Sequence, residues 1–545
     1  MQNLKNKNTS FIHKIIENFF KKNKKKTLHT RFPPDPNGYL HIGHAKSLCI
    51  NFGLAQQYHG KCNLRFDDTN PNIQHNKYIT KIKKDILWLG FKWNKKTKYS
   101  STYFNKIYKY AIELIKKNLA YVDKLKKHEI RSYRGTLTKP GTNSPYRNQT
   151  IEENLLLFKN MMLGNFSEGT VCLRAKINMQ SPCIIMRDPI LYRIKFVKHN
   201  KTKKKWCIYP TYDFAHCISD AIENITHSLC TLEFQDNQKL YNWILKNITI
   251  INHPKQYEYS RLNLEYCTLS KRKIKILITN NIIKKWDDPR LPTIAGLRKR
   301  GYTASSIRNF CHKLGITKQN NLIQMSSLES CIRKELNITT YRTMSILEPI
   351  KIVICNMYHK FQEKINVLNH PKNSQLGTQN IIFSNILYIE KTDFQEKPKK
   401  KYYRLTLGKT IKLKYSYILT AHSIKKNHNN KITKIFCTFH KVQNNKKYSI
   451  IHWISIQDTI PAEFRIYNYL FTTKTPSTKK NLLSHINPES KIKKFGFINK
   501  NIIKNLEIYR YQFERIGYFI TDKKTYNKKK IIFHQIVTLK ENWNK

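Results

Sequence analysis

Apolar residues recur along this chain with two different periods, and the changes between them mark its elements. An apolar patch at 11–20, interrupted by His, Lys and Glu, predicts an amphipathic helix followed by a basic linker at 21–26. Residues 27–32 read as a short strand. Ala45, Leu48, Cys49, Phe52 and Ala55 then fall at helix spacing, Gly60 supplies a stop, and Cys62, Leu64 and Phe66 alternate as a second strand. Strand, loop, helix and strand make a βαβ unit, in which ligands bind beyond the carboxyl ends of the strands. The loop at 33–44 and the pair Asp67, Asp68 both fall there.

A second amphipathic helix is expected at 78–89. From about 101 the pattern changes. Helices at 103–118 and 151–162 flank a polar loop at 134–146 (RGTLTKPGTNSPY), and short strands follow at 171–177 and 182–196, as for a domain inserted into the first fold. The strand–helix rhythm returns near 208 and runs to about 260. Residues 285–340 read as helices starting after Pro289, Thr303 and Ser326. From about 342 strands dominate, at 381–389, 403–407, 411–419, 434–439 and 450–454, which predicts one or two small barrels.

A chain of 545 residues is too long for one core, and 40% hydrophobic residues suit globular domains. No run of 18 apolar residues predicts a membrane span. The net charge of +65 and pI near 10.0 point to a polyanionic partner, nucleic acid first. Drift toward A/T-rich codons would also enrich Lys, Asn, Ile, Tyr and Phe, so charge alone does not decide. Twelve cysteines are scattered singly without a C-x-x-C pair, which predicts reduced thiols filling the core and no metal site.

Candidate chemistry concentrates in 31–47, RFPPDPNGYLHIGHAKS. His41-Ile-Gly-His44 sits where a strand gives way to a helix. A helix N-terminus offers free N–H groups and a positive dipole end, which suit phosphate. Two imidazoles add donors, and Gly43 leaves room for a close-packed base or ribose. A solvated turn is the alternative; Asn37-Gly38 could even make a tight hairpin turn, but the helix period that follows argues against a second strand. Downstream, 268–273 (TLSKRK) could supply cations to a triphosphate, although in isolation, in so basic a chain, it reads rather as a surface charge run.

Together with 29–47, 62–71, 131–147, 209–237, 257–273 and 512–519, these motifs resemble the class I aminoacyl-tRNA synthetases, and within them the glutaminyl-tRNA synthetases of bacterial type, over essentially the whole chain. The resemblance implies a multidomain α/β and β architecture. A Rossmann-like catalytic domain would occupy 27–100 and 211–260 behind an N-terminal segment at 1–26, with an acceptor-end-binding domain inserted at 101–210. A mobile loop and helical connector would follow at 261–340, and two anticodon-binding barrels at 341–545. It also implies ATP-dependent ligation of L-glutamine to tRNA(Gln) through glutaminyl-adenylate, with ATP as substrate and Mg²⁺ carried by ATP, in a cytoplasmic monomer. Positioning and charge stabilisation carry such a reaction.

By the same resemblance, His41, His44 and Lys271 are catalytic. Asp35, Pro36, Asn37, Ile42, Gly43, Ala45, Lys46 and Ser47 would hold ATP with Arg261, Leu262, Leu269 and Ser270. Arg31, Asp67, Tyr212, His216, Cys230, Thr231 and Gln256 would form the amino-acid pocket, with Asp67 on the α-ammonium. Leu137 would help separate the first base pair, Asp236 would read acceptor-stem edges, and Arg342, Arg404 and Gln512 would read the anticodon. The chain departs from the family at Leu269 for Met, at Asp35 for Glu, and at Tyr403, Lys412 and Lys414, where the bacterial relatives carry cations or arginines.

Independently of the family, 206–238 contains no Lys or Arg, where roughly six would be expected. It keeps Asp213, Asp220, Glu223, Glu233 and Asp236. A core segment excludes lysine, but would exclude the acids too. A pocket for a zwitterion with a neutral amide side chain fits better and weighs against a glutamyl or dual-specificity enzyme, whose pocket needs an Arg. A non-catalytic tRNA-binding relative is a further alternative, against which His41, His44, Ser270 and Lys271 are all present.

Overall fold

Strand His29–Phe32 runs parallel to Lys61–Phe66, with His29 opposite Lys61, and helix Ile42–Gln57 crosses between them. The helix buries Ala45, Leu48, Cys49, Phe52 and Ala55, the apolar positions that predict it. It stops where Gly60 donates its N–H to the Ala55 carbonyl; a Cβ on Gly60 would stand 2.2 Å from the Leu28 carbonyl oxygen, so only glycine fits the return. The computed structural model describes residues 10–73, 76–441, 447–478, 481–504, 509–522 and 531–540. The ends of the expected terminal segments, at 1–9 and 541–545, lie outside the described residues.

The chain divides into two compact units, 1–263 with 308–323 and 264–307 with 324–545. In the first, Lys98–Tyr99 extends the sheet parallel to Arg65 and Phe66. On the other side, His29 and Thr226 exchange hydrogen bonds (2.9 Å each), and Thr226 leads into His227–Thr231, which is parallel to Lys255–Tyr259. Parallel strands bring their carboxyl ends to one edge. The stretch 308–323 is fastened here by Arg308 to the Leu89 carbonyl, by Thr317 to Ser260 and by Asn320 to Arg261.

The insertion is an antiparallel sheet of Ala120–Asp123, Cys172–Ala175, Ile190–Ile194 and Ile208–Pro210, with helices Phe104–Lys116 and Ile151–Leu163. Thr150 and Glu153 cap the second helix reciprocally, and Gly164 ends it at φ +84°. Phe104, Leu114, Phe158, Leu173 and Tyr192 share one apolar cluster with Phe214, Cys217 and Ile218 of helix Tyr212–Ile222, so the insertion shares its core with that helix. The expected strand 182–196 begins at Ile190 instead. Residues 184–186 form a short 3₁₀ turn, and Asp188 adopts φ +41°, which no strand accommodates.

In the second unit, helices Ile294–Arg300 and Met325–Thr339 precede two seven-stranded sheets. The helix expected after Pro289 begins at Ile294, because Thr293 Oγ1 caps Gly296 N–H and fixes the start there. The sheet starting at Tyr341–Thr343 ends at Ser345–Ile346, and its strand order runs through Arg510–Phe513, Gly517–Thr521, Ile531–Thr538, Thr459–Tyr467 and Lys491–Asn499. The other has Ile450–Ile451 and Trp453–Ser455 at its margins. In each, the two margin strands are separated in sequence by a single residue, Met344 or His452, so the sheet curls until its edges meet as a nearly closed barrel. The expected strand 411–419 is two antiparallel strands, Thr410–Leu413 and Ile418–Lys426, joined through Tyr415 at φ +65°. The expected strand 403–407 makes only isolated bridges at Leu405 and Leu407.

Candidate active site

The helix that follows the first strand is capped by the histidines that the sequence singles out. His41 Nδ1 accepts the Gly43 N–H and His44 Nδ1 accepts the His41 N–H, both at 3.1 Å, and the ring centroids are 3.7 Å apart. Two Nδ1 acceptors leave the ring proton of each on Nε2. The pair therefore closes the helix start while offering Nε2–H donors beside its positive dipole end. In the preceding loop, Asn37 donates its side-chain amide to the exposed Asp35 carboxylate and Pro36 is buried. Further along, Ile42, Ala45 and Lys46 are buried. The Lys46 ammonium, 5% exposed, donates to the Ser260 carbonyl (2.8 Å) and hydroxyl (3.1 Å), and burial pushes its pKa down. Ser47 Oγ accepts from Tyr259 (2.8 Å).

Beyond the strand ends lies a buried charge network. Arg31 donates from Nε to Asp220 (3.1 Å), from Nη1 to the Leu229 carbonyl (2.8 Å) and from Nη2 to Ser228 Oγ (2.8 Å), and His216 Nε2 lies 2.7 Å from Nη2. Arg65 binds Asp220 at 2.6 Å and Asp67 at 2.8 Å, with Glu223 at 3.6 Å. Burial alone would raise the Asp220 carboxyl, but Arg31, His216 and Arg65 outweigh it and hold it well below the usual carboxylate range. Asp67 Oδ1 also accepts from Ser100 Oγ (2.9 Å), whereas its buried Oδ2 has no hydrogen-bond partner among the described residues. Tyr212 stacks on His216 with centroids 5.0 Å apart.

The acids of 206–238 thus divide. Asp220 and Glu223 are core residues, neutralised by arginines from the two adjacent strands, so a core does not exclude acids here. The missing cations of that segment are supplied by Arg31 and Arg65. Cys230 is buried, and its thiol is pushed up to about 12 by burial. Gln256, register partner of Ser228, holds its amide on the Phe234 carbonyl (2.9 Å) and Glu258 (3.0 Å), while Thr231 ends its strand half-buried. Leu262 is buried, and Arg261 pairs with Glu233 at 2.5 Å. Nine of the twelve free cysteines are buried, as core filler.

Away from this cluster, Leu137 stands 80% exposed at the tip of the 136–139 turn, and exposed Asp236 precedes helix Asn237–Asn247. In the second unit, Leu269 is buried and Ser270 immediately precedes the helix Lys271–Thr279, so the expected loop 268–273 turns helical at Lys271. Arg342 and Gln512 are opposite one another in a parallel pair; Arg342 Nε and Gln512 Oε1 are both without hydrogen-bond partners. Arg404 and Arg515 both pair with buried Asp393. Sequence reasoning missed Arg65 as the organiser of the pocket. The alternation Arg65-x-Asp67 on one strand face and the spacing His216, Asp220 on one helix face were the available signals.

Family models bear on the same segments. That of the "tRNA synthetases class I (E and Q), catalytic domain" matches residues 27–338, and two described as anti-codon binding domains of this class match 340–440 and 450–522. The chain is 58% identical over 549 residues to a Glutamine--tRNA ligase of Buchnera aphidicola subsp. Schizaphis graminum, covering 98% of each chain. It is 53% identical over 545 residues to one of Proteus mirabilis, again covering 98% of each. A solved glutamate tRNA ligase from Elizabethkingia meningosepticum aligns with a TM-score of 0.43 at 17% identity, over 58% of this chain and 70% of that one. The chain belongs to the class I (E and Q) tRNA synthetases.

Proposed function

We propose that the protein joins L-glutamine to tRNA(Gln) at the expense of ATP, through glutaminyl-adenylate, releasing AMP and diphosphate. The observation that carries this reading is the near-full-length identity to curated glutamine–tRNA ligases. The pocket supports glutamine. Two buried guanidiniums, Arg31 and Arg65, face three buried carboxylates, Asp67, Asp220 and Glu223, with Lys98 at 3.8 Å from Glu223. Asp67 Oδ2, without a hydrogen-bond partner among the described residues, suits an incoming ammonium, and both arginines are already paired with carboxylates, so a glutamate side chain would bury an uncompensated charge. Arg31 gives three of its N–H groups to Asp220, Leu229 and Ser228, and Nη1 keeps one for a ligand.

In this reading His41 and His44 donate from Nε2 to the phosphates as charge builds in the transition state, helped by the helix N-terminus. Lys271 adds a cation to the leaving diphosphate. Asp67 fixes the amino acid so that its carboxylate meets the α-phosphate. Mg²⁺ enters as the ion carried by ATP: the loop offers one exposed hard donor, Asp35, which suits an ion held mainly by phosphate oxygens and water, and no step is assigned to it. Leu137 and Asp236 are proposed to engage the acceptor end, and Arg342, Arg404 and Gln512 the anticodon. A monomer in the cytoplasm belongs to the same proposal; among the described residues no helix is long and apolar enough to cross a membrane. Purified protein with labelled glutamine, ATP and tRNA should yield one AMP per acylated tRNA. ADP as the nucleotide product would overturn the adenylate route.

A further inference from the structure

The exposed Leu137 is carried by a turn with an unusual anchor. Thr136 N–H donates to the Lys139 carbonyl (3.0 Å), which puts Leu137 and Thr138 at the tip. Gly135, at φ +72°, has no room for a Cβ, which would stand 2.4 Å from the Pro140 carbonyl oxygen; a Cβ on Gly141 would be 2.8 Å from those of Tyr133 and Met179. Under the turn lies Arg187, 3% exposed. Its Nη1 converges on the carbonyls of Arg134 (2.9 Å), Thr136 (2.7 Å) and Lys139 (2.9 Å), sharing two N–H groups among three acceptors, and its Nε holds the Ser181 carbonyl (2.7 Å). Asp188 fixes the segment that presents this guanidinium, accepting from Ile177 N–H (2.7 Å) and Arg147 Nε (2.8 Å).

We propose that Arg187 is a positioning residue for opening the acceptor end: its guanidinium gathers the carbonyls of the 134–139 turn and thereby aims Leu137 at the first base pair of the tRNA. The proposal rests on the reading of Leu137 as the residue that separates that pair. A fully exposed leucine on a free loop would collapse onto neighbouring apolar surface or sample many directions. Three carbonyls tied to one buried cation leave the tip a single geometry, as a wedge requires. No residue of the turn other than Leu137 need touch the base pair.

The test compares two transcripts of the cognate tRNA, one with its first base pair intact and one mismatched there, so that the end is already open. Aminoacylation kcat/KM is measured on both with the unsubstituted protein, Arg187→Gln, Arg187→Lys and Leu137→Ala. Because each variant is compared with itself, a partly misfolded preparation lowers both values equally. Arg187→Gln should lose about tenfold or more on the paired transcript and less than about twofold on the mismatched one, with Arg187→Lys intermediate. Equal losses on both transcripts for Arg187→Gln, while Leu137→Ala discriminates between them, overturn the proposal alone. If Leu137→Ala fails to discriminate, the wedge reading falls and the proposal falls with it.

Discussion

Arg65 is the side chain on which the buried charge network depends, because it pairs with Asp67, Asp220 and Glu223 together while itself fully buried. Arg65→Ala would take one cation from three buried carboxylates and should destabilise the first unit by about 3–5 kcal/mol, read as a lower urea midpoint. Asp220→Asn should do comparable damage at neutral pH by leaving Arg31 and Arg65 short of a partner. The native pKa of Asp220 lies well below the unfolded one, so its contribution is fully present above about pH 4 and is lost as pH falls through the native pKa. The deficit of Asp220→Asn should therefore persist from pH 7 to about pH 4 and shrink only below it; a deficit that shrank between pH 7 and 5 would contradict the pairing. At this scale the sequence singled out His41, His44, Arg31 and Asp67, which the fold places at a helix start and in the buried charge network, and passed over the residues behind them. Nothing local in Arg65 or Arg187 says that it is buried; that follows from strands and turns brought together by topology.

Among elements, the helix Ile42–Gln57 could be read in advance because its apolar period and its capping histidines agree. Under the proposed function its two imidazoles hold structural and chemical duties at once, and the two separate by substitution. His41→Asn keeps a side-chain cap acceptor, so thermal stability should change by no more than about 1 kcal/mol. It removes an Nε2–H donor, so kcat for aminoacylation should fall by about 10²-fold. Lys271, at the first turn of Lys271–Thr279, serves chemistry alone in this account: Lys271→Ala should lower kcat by about 10²–10³-fold with little change in the KM for glutamine, and an unchanged kcat would remove it from the mechanism. Other elements resisted reading where a single backbone angle decides. Asp188 cuts the apolar run 182–196 and Tyr415 splits 411–419, each through a positive φ that a non-glycine side chain does not announce.

Over the whole chain, barrel closure was legible only as a richness in strands. Each closure depends on pairs of margin strands that follow one another across Met344 and His452, which strand spacing alone does not reveal. The charge of +65 was legible at once, but its purpose was not. If much of it contacts phosphates, the logarithm of tRNA affinity should fall linearly and steeply with the logarithm of salt concentration; a flat response would assign most of the excess to codon drift. The account as a whole turns on the amino acid. The direct measurement is acylation of a purified tRNA pool with glutamine and with glutamate side by side, under identical ATP and salt. Glutamine should charge the glutamine-accepting tRNA with a kcat/KM at least about 10³-fold above that for glutamate, as expected when a buried charge goes unpaired. Equal or preferential charging with glutamate would contradict it.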